Sequence, residues 1–158
     1  MQQLNFPGFQ YITRVEENNK TYIFDPVRKR YVKLTPEEWV RQHLINYLAV
    51  VKKVPYTLMS VESGLKVNGM MQRFDLVVYN SLGQPRMIVE CKASSVELTA
   101  DTMFQAARYN LSLKVDYLLI TNGLVHHCAK IDYTAGSLDF LNAVPDFLVL
   151  NENIDSKF

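Results

Sequence analysis

"RFDLVVYNSLGQPRMIVECKAS", residues 73–94, decides the fold. Two runs of apolar and β-branched residues flank a turn holding Gly83 and Pro85, a pattern that predicts a β-hairpin. Each run carries an acid where a core strand carries none: Asp75 in the first, Glu90 in the second, with Lys92 two residues further on. A turn centred on Leu82-Gly83 sets Asp75 directly opposite Glu90 and Arg73 opposite Lys92. Strict alternation then sends Phe74 and Cys91 to the other face. Opposed carboxylates have Cβ atoms only ~4.5–5.5 Å apart and repel. The pair persists cheaply only with a cation or a shared proton between its members. Two converging carboxylates make a hard-oxygen site suited to Mg²⁺, with Mn²⁺ as the substitute and the Cys91 backbone carbonyl as a further ligand. An ion held there activates water, and Lys92 orients that water or stabilises charge on a phosphodiester. The competing reading is two solvated ion pairs, Asp75 with Arg73 and Glu90 with Lys92. The "LVV" and "MIV" runs weigh against it, because they imply that both sheet faces are covered.

Working outward, "FQYITRVEENNKTYIFDPVRKRYVKL" alternates apolar and polar residues about Asn18-Asn19 and predicts an N-terminal β-hairpin with an extension. "TPEEWVRQHLINYLAVVKK" predicts a helix, with Thr35 as N-cap, Pro36 at its first position and Glu38 completing a capping box. Trp39, Leu44, Tyr47, Leu48 and Val51 form its apolar face. "TLMSVESGLKVNG" predicts a strand ending in an Asn68-Gly69 turn, "TADTMFQAARYNLSLKV" a second helix, and "DYLLITNGLVHHCAKID" two strands about Thr121-Asn122-Gly123. From residue 35 the order is αβββαββ, an α/β chain with a mixed sheet. The tail from Leu138 is apolar enough to pack.

The 158 residues suit one domain: an N-terminal hairpin (1–34), a core (35–135) and a tail (136–158). No apolar run approaches the ~20 residues that span a bilayer, and the two cysteines make neither a disulfide framework nor a zinc spacing. The expectation is a soluble cytoplasmic protein without membrane contact. Net charge is +1 but uneven: residues 1–92 hold 13 Lys or Arg against 8 Asp or Glu. Such a face, including Arg28, Lys29 and Arg30, favours a polyanion. His126 and His127 alternate across a strand and read as structural rather than as metal ligands, as does His43.

"RFD…ECKAS" resembles the PD-(D/E)xK nuclease superfamily. With "TPEEWVRQHLINYL", "VESGLKVNG", "IVECKA", "QAARYN" and "YLLITNG" in this order, residues 27–131 look like the N-terminal nuclease domain of type I restriction enzyme R subunits. The resemblance implies a restriction-endonuclease-like αβββαβ core and a Mg²⁺-dependent DNA nuclease of restriction-modification. Asp75 and Glu90 would ligate the metal, Lys92 would be the catalytic lysine, and Glu38 or Glu37 would supply the acid of the first helix. Gln105 and Tyr109 match a Gln-x-x-x-Tyr motif, and Arg41, Gln42 and Arg73 are candidate DNA contacts. Phe74 stands where the superfamily has Pro. No GxxxxGK[ST] phosphate loop occurs, so the expectation is a stand-alone nuclease, a partner of a separately encoded motor or modification subunit, or a relict domain. The alternative is a nucleic-acid-binding or assembly module that keeps the fold and does not cut.

Overall fold

In a computed structural model, residues 1–152 are described, apart from the side chain of Tyr109. β1 (Thr13–Val15), β2 (Thr21–Asp25) and β3 (Arg30–Lys33) form an antiparallel sheet, so the extension expected after the N-terminal hairpin is its third strand. The β2–β3 turn is organised by buried Asp25, whose Oδ1 accepts from the Val27 and Arg28 amides at 2.8 and 2.9 Å.

Helix α1 (Pro36–Val50) begins as its sequence predicts: the Thr35 hydroxyl accepts the Glu38 amide at 3.1 Å. Only half of the expected capping box forms, because the Glu38 carboxylate turns away to Arg28 and Arg41. A short 3-10 turn (Tyr56–Leu58) leads into β4 (Met59–Val67), β5 (Met70–Tyr79) and β6 (Pro85–Cys91). Helix α2 (Ala100–Asn110) crosses to β7 (Tyr117–Thr121), followed by β8 (His126–Asp132) and β9 (Ser137–Leu141). The six strands lie in the order β4-β5-β6-β7-β8-β9. All neighbours are antiparallel except β6 and β7, the pair that α2 connects, as a parallel pair requires a crossover. Helix α2 stops at Asn110 instead of continuing to residue 115; Lys114, at φ 54°, already has left-handed backbone. The tail holds β9 and the short helix α3 (Phe147–Leu150), neither of which is evident from its sequence.

The sheet is covered on both sides. Trp39, Leu44 and Leu48 of α1 pack with Leu76, Val78, Met87, Val89 and Leu119. Met103 and Ala107 of α2 pack with Val77, Ile88, Leu118 and Ile120 on the other face. These alternating sets explain why β5, β6 and β7 read as continuous apolar runs.

Candidate functional site

The β5–β6 hairpin reaches the expected register by an unexpected route. The Asn80 amide donates to the Gln84 carbonyl and the Gly83 amide to the Asn80 carbonyl, which makes a three-residue loop with Gly83 at φ 75°. A bulge between Val78 and Tyr79 then shifts the pairing, so that Val78 faces Met87 and Leu76 faces Val89. Pro85 has no N–H to return to the ladder, and the irregularity falls beside it. The two offsets cancel, and extension of the ladder leads to Asp75 opposite Glu90.

The ladder itself ends at Leu76–Val89. Beyond that point the Cys91 amide donates to Asp75 Oδ2 at 2.7 Å, and the Lys92 amide to the Thr121 carbonyl at 2.8 Å. Lys92 therefore joins β7, and Arg73 is not its cross-strand partner. Strict alternation also fails in β5. Leu76 lies in the α1-side core but Phe74 in the α2-side core, although they are two residues apart. Between them, Asp75 and Glu62 drop out of an otherwise continuous β4–β5 ladder, and Glu62 has φ 52°. This break corrects the expectation that Phe74 shares a face with Cys91: Phe74 lines the cleft that holds Glu90 and Lys92.

Asp75 and Glu90 meet. Burial first, then the negative charge of Asp75, push the Glu90 carboxyl up to about 7, while Lys92 pulls it down. Glu90 and Lys92 line an open cleft of about 210 Å³ with Gln72, Thr102, Gln105 and Asn110. Asn110 is buried there, and its Oδ1 has no hydrogen-bond partner among the described residues. Gln105 thus lines the same cleft as Glu90 and Lys92; the Tyr109 side chain lies outside the described residues.

On the α1 side, Asp75 Oδ1 accepts from Arg41 Nη2 at 3.2 Å. Arg41 is 4% exposed and also donates to Glu38 Oε2 at 2.5 Å. Its burial opposes the charge, but Glu38 and Asp75 outweigh it and hold the guanidinium above its ordinary pKa. Glu38 Oε1 accepts from Arg28 Nη2 at 2.6 Å and Gln42 Nε2 at 2.9 Å, and Arg28 Nε reaches Asp25 Oδ2 at 2.5 Å. Glu38 is therefore enclosed by donors, with Arg41 and Gln42 both tied into this network. Arg73 is 68% exposed and pairs with Glu62. The sequence reading missed Glu62, because an acid on an edge strand looks like an ordinary solvated position. The Cys91 thiol is fully buried and pushed well up, which leaves it protonated and inert. The His126 ring meets Thr121 Oγ1 and the Asn5 carbonyl, and His43 Nδ1–H donates to the Trp39 carbonyl, both structural.

The family model of the type I restriction enzyme R protein N terminus matches residues 36–145. No curated protein matches. A solved fragment of a putative HsdR subunit of a type I restriction enzyme from Vibrio vulnificus shares 21% identity at a TM-score of 0.54. The match covers 74% of this chain and 24% of that one, so this chain spans about a quarter of the solved structure. At that identity the likeness shows the fold.

Proposed function

The chain belongs to the family of type I restriction enzyme R protein N-termini, and on that premise we propose that it is a Mg²⁺-dependent DNA nuclease domain of PD-(D/E)xK type. The observation that carries this reading is that Asp75 meets Glu90, which lines an open cleft together with Lys92. Charge points the same way. Around the pair, six carboxylates (Asp25, Glu37, Glu38, Glu62, Asp75, Glu90) are linked to four cations (Arg28, Arg41, Arg73, Lys92), which, once Glu90 has lost its proton, leaves two positive charges missing. A divalent cation supplies both. Two carboxylates completed by carbonyl, water and phosphate oxygens are a common Mg²⁺ environment, so the residues present fit the ion.

Asp75, Glu90 and the Cys91 carbonyl would hold the metal, which when bound supplies a Lewis acid and a water of lowered pKa. Arg41 and the Cys91 amide fix the Asp75 carboxylate from two sides. Lys92 stabilises negative charge developing on the phosphodiester, and Gln105 contacts the strand from α2. The domain works on DNA within a type I restriction system.

A second reading, an assembly or nucleic-acid-binding module that does not cut, draws on a different observation. Both Asp75 oxygens already have donors, and no group of three or more His, Cys, Asp or Glu able to hold a metal occurs among the described residues. Cleavage of plasmid and linear DNA in Mg²⁺, with any motor subunit encoded nearby, separates the two. Lys92→Ala is expected to lower the rate by ~10²–10⁴-fold while Mn²⁺ affinity by calorimetry stays unchanged. Equal inertness of wild type and variant on every DNA supports the second reading.

A further inference from the structure

Three arginines close on the carboxylate of Glu62. Arg73 Nη2 lies 3.0 Å and Arg28 Nη1 3.3 Å from Oε2, and Arg41 Nη1 lies 3.8 Å from Oε1. These contacts are loose beside the 2.5–2.6 Å bonds that tie Arg28 and Arg41 to Asp25 and Glu38. Glu62 is held more loosely than Asp25 and Glu38. Its side chain is 35% exposed, and its backbone has φ 52° at the break in the β4–β5 ladder, level with Asp75. Left-handed backbone is unfavourable for a residue with a side chain, and such strain concentrates at ligand clamps. The buried Arg41 Nε has no hydrogen-bond partner among the described residues.

We propose that Glu62 holds the place of an anionic ligand: Arg28, Arg41 and Arg73 form a phosphate site beside Asp75, and a DNA phosphate enters it by displacing the Glu62 carboxylate. The exchange swaps one negative charge for another and leaves the balance of the cluster intact. Guanidinium forks match phosphate oxygens in pairs. Glu62 can leave at small cost, because its pair with the exposed Arg73 contributes little and Arg28 and Arg41 keep Asp25, Glu38 and Asp75 as partners. That the phosphate belongs to DNA rests on the nuclease reading; the anion site does not.

The test measures two probes in EDTA, a short fluorescent DNA duplex by anisotropy and inorganic phosphate by calorimetry. Glu62→Gln is expected to tighten both roughly two- to fivefold. Adding Arg73→Gln to that variant removes the gain. Glu37→Gln, which also takes a half-exposed carboxylate from Arg41, serves as the charge control and leaves phosphate affinity unchanged. An equal gain in Glu37→Gln, a gain that survives Arg73→Gln, or no gain with either probe overturns the site. If wild type cuts DNA yet Glu62→Gln gains nothing, the phosphate site falls and the nuclease reading stands. If Glu62→Gln gains phosphate affinity but no preparation cuts, the site stands and the nuclease reading falls.

Discussion

Glu90 keeps its proton to a pH of about 7, and this has consequences for stability and for metal binding. The unfolded chain loses that proton near ~4.3. Between these values the folded state holds a proton that the unfolded state has released, so metal-free stability falls as pH rises through the window. The fall is on the order of 2–3 kcal/mol. Asp75→Asn removes one cause of the shift but not the burial, so it is expected to shrink the fall without abolishing it, as urea denaturation from pH 4.5 to 7.5 would measure. Mn²⁺ must displace the same proton, so wild-type affinity should climb toward neutral pH, and Asp75→Asn should lose most of it. A flat stability profile, or unchanged Mn²⁺ affinity in Asp75→Asn, removes the paired-carboxylate site. The acids of this pair were legible because each interrupts an apolar strand. Glu62 was not, since nothing in one strand's pattern tells that three arginines from other elements converge on it.

The β5–β6 hairpin shows what strand-level reading can and cannot deliver. Apolar alternation located both strands, and core burial on two faces set which residues face α1 and which face α2. Loop length was invisible to that reasoning, and so was the bulge that compensates for it. The juxtaposition of Asp75 and Glu90 therefore depends on the packing of Leu76, Val78, Met87 and Val89 more than on the turn. Gly83 tests this. A Cβ there meets nothing within 4 Å, but φ is 75°, so Gly83→Ala pays backbone strain without a clash. It is expected to cost about 1 kcal/mol in thermal or urea unfolding and to leave Mn²⁺ affinity at Asp75 and Glu90 unaltered. A large loss of Mn²⁺ affinity would show instead that the turn sets the register. The α1 network illustrates the opposite limit: Glu38 satisfied the sequence signature of a capping box, yet ion pairs with Arg28 from the β2–β3 turn and with Arg41 one turn along the helix claimed its carboxylate.

Across the whole molecule, the excess of basic residues in the first 92 positions is partly internal. Arg28, Arg41 and Arg86 are occupied by Asp25, Glu38, Glu62, Asp75 and Asp116, and Arg41 and Arg86 are buried. Sequence counting treats these arginines like any solvated lysine, because it has no access to pairs that form between β2, α1 and β5. What remains for a polyanion on the N-terminal sheet includes the exposed Lys29, Arg30 and Lys33, next along the chain from the turn that carries Arg28. DNA held by this face releases counterions, so log affinity falls linearly with log salt at ~0.9 per phosphate neutralised. Replacing Lys29 and Arg30 with Gln is expected to reduce that slope by up to about 2 while leaving Mn²⁺ binding intact, since neither residue belongs to the network around Asp75. Arg28 has to stay out of such a variant: its removal leaves Asp25 buried without its guanidinium partner, and unfolding would then mimic lost DNA contact. An unchanged salt slope in the double variant, with the fold verified by circular dichroism, places the DNA on another face of the molecule and leaves the N-terminal sheet with the single task of anchoring Glu38 through Arg28.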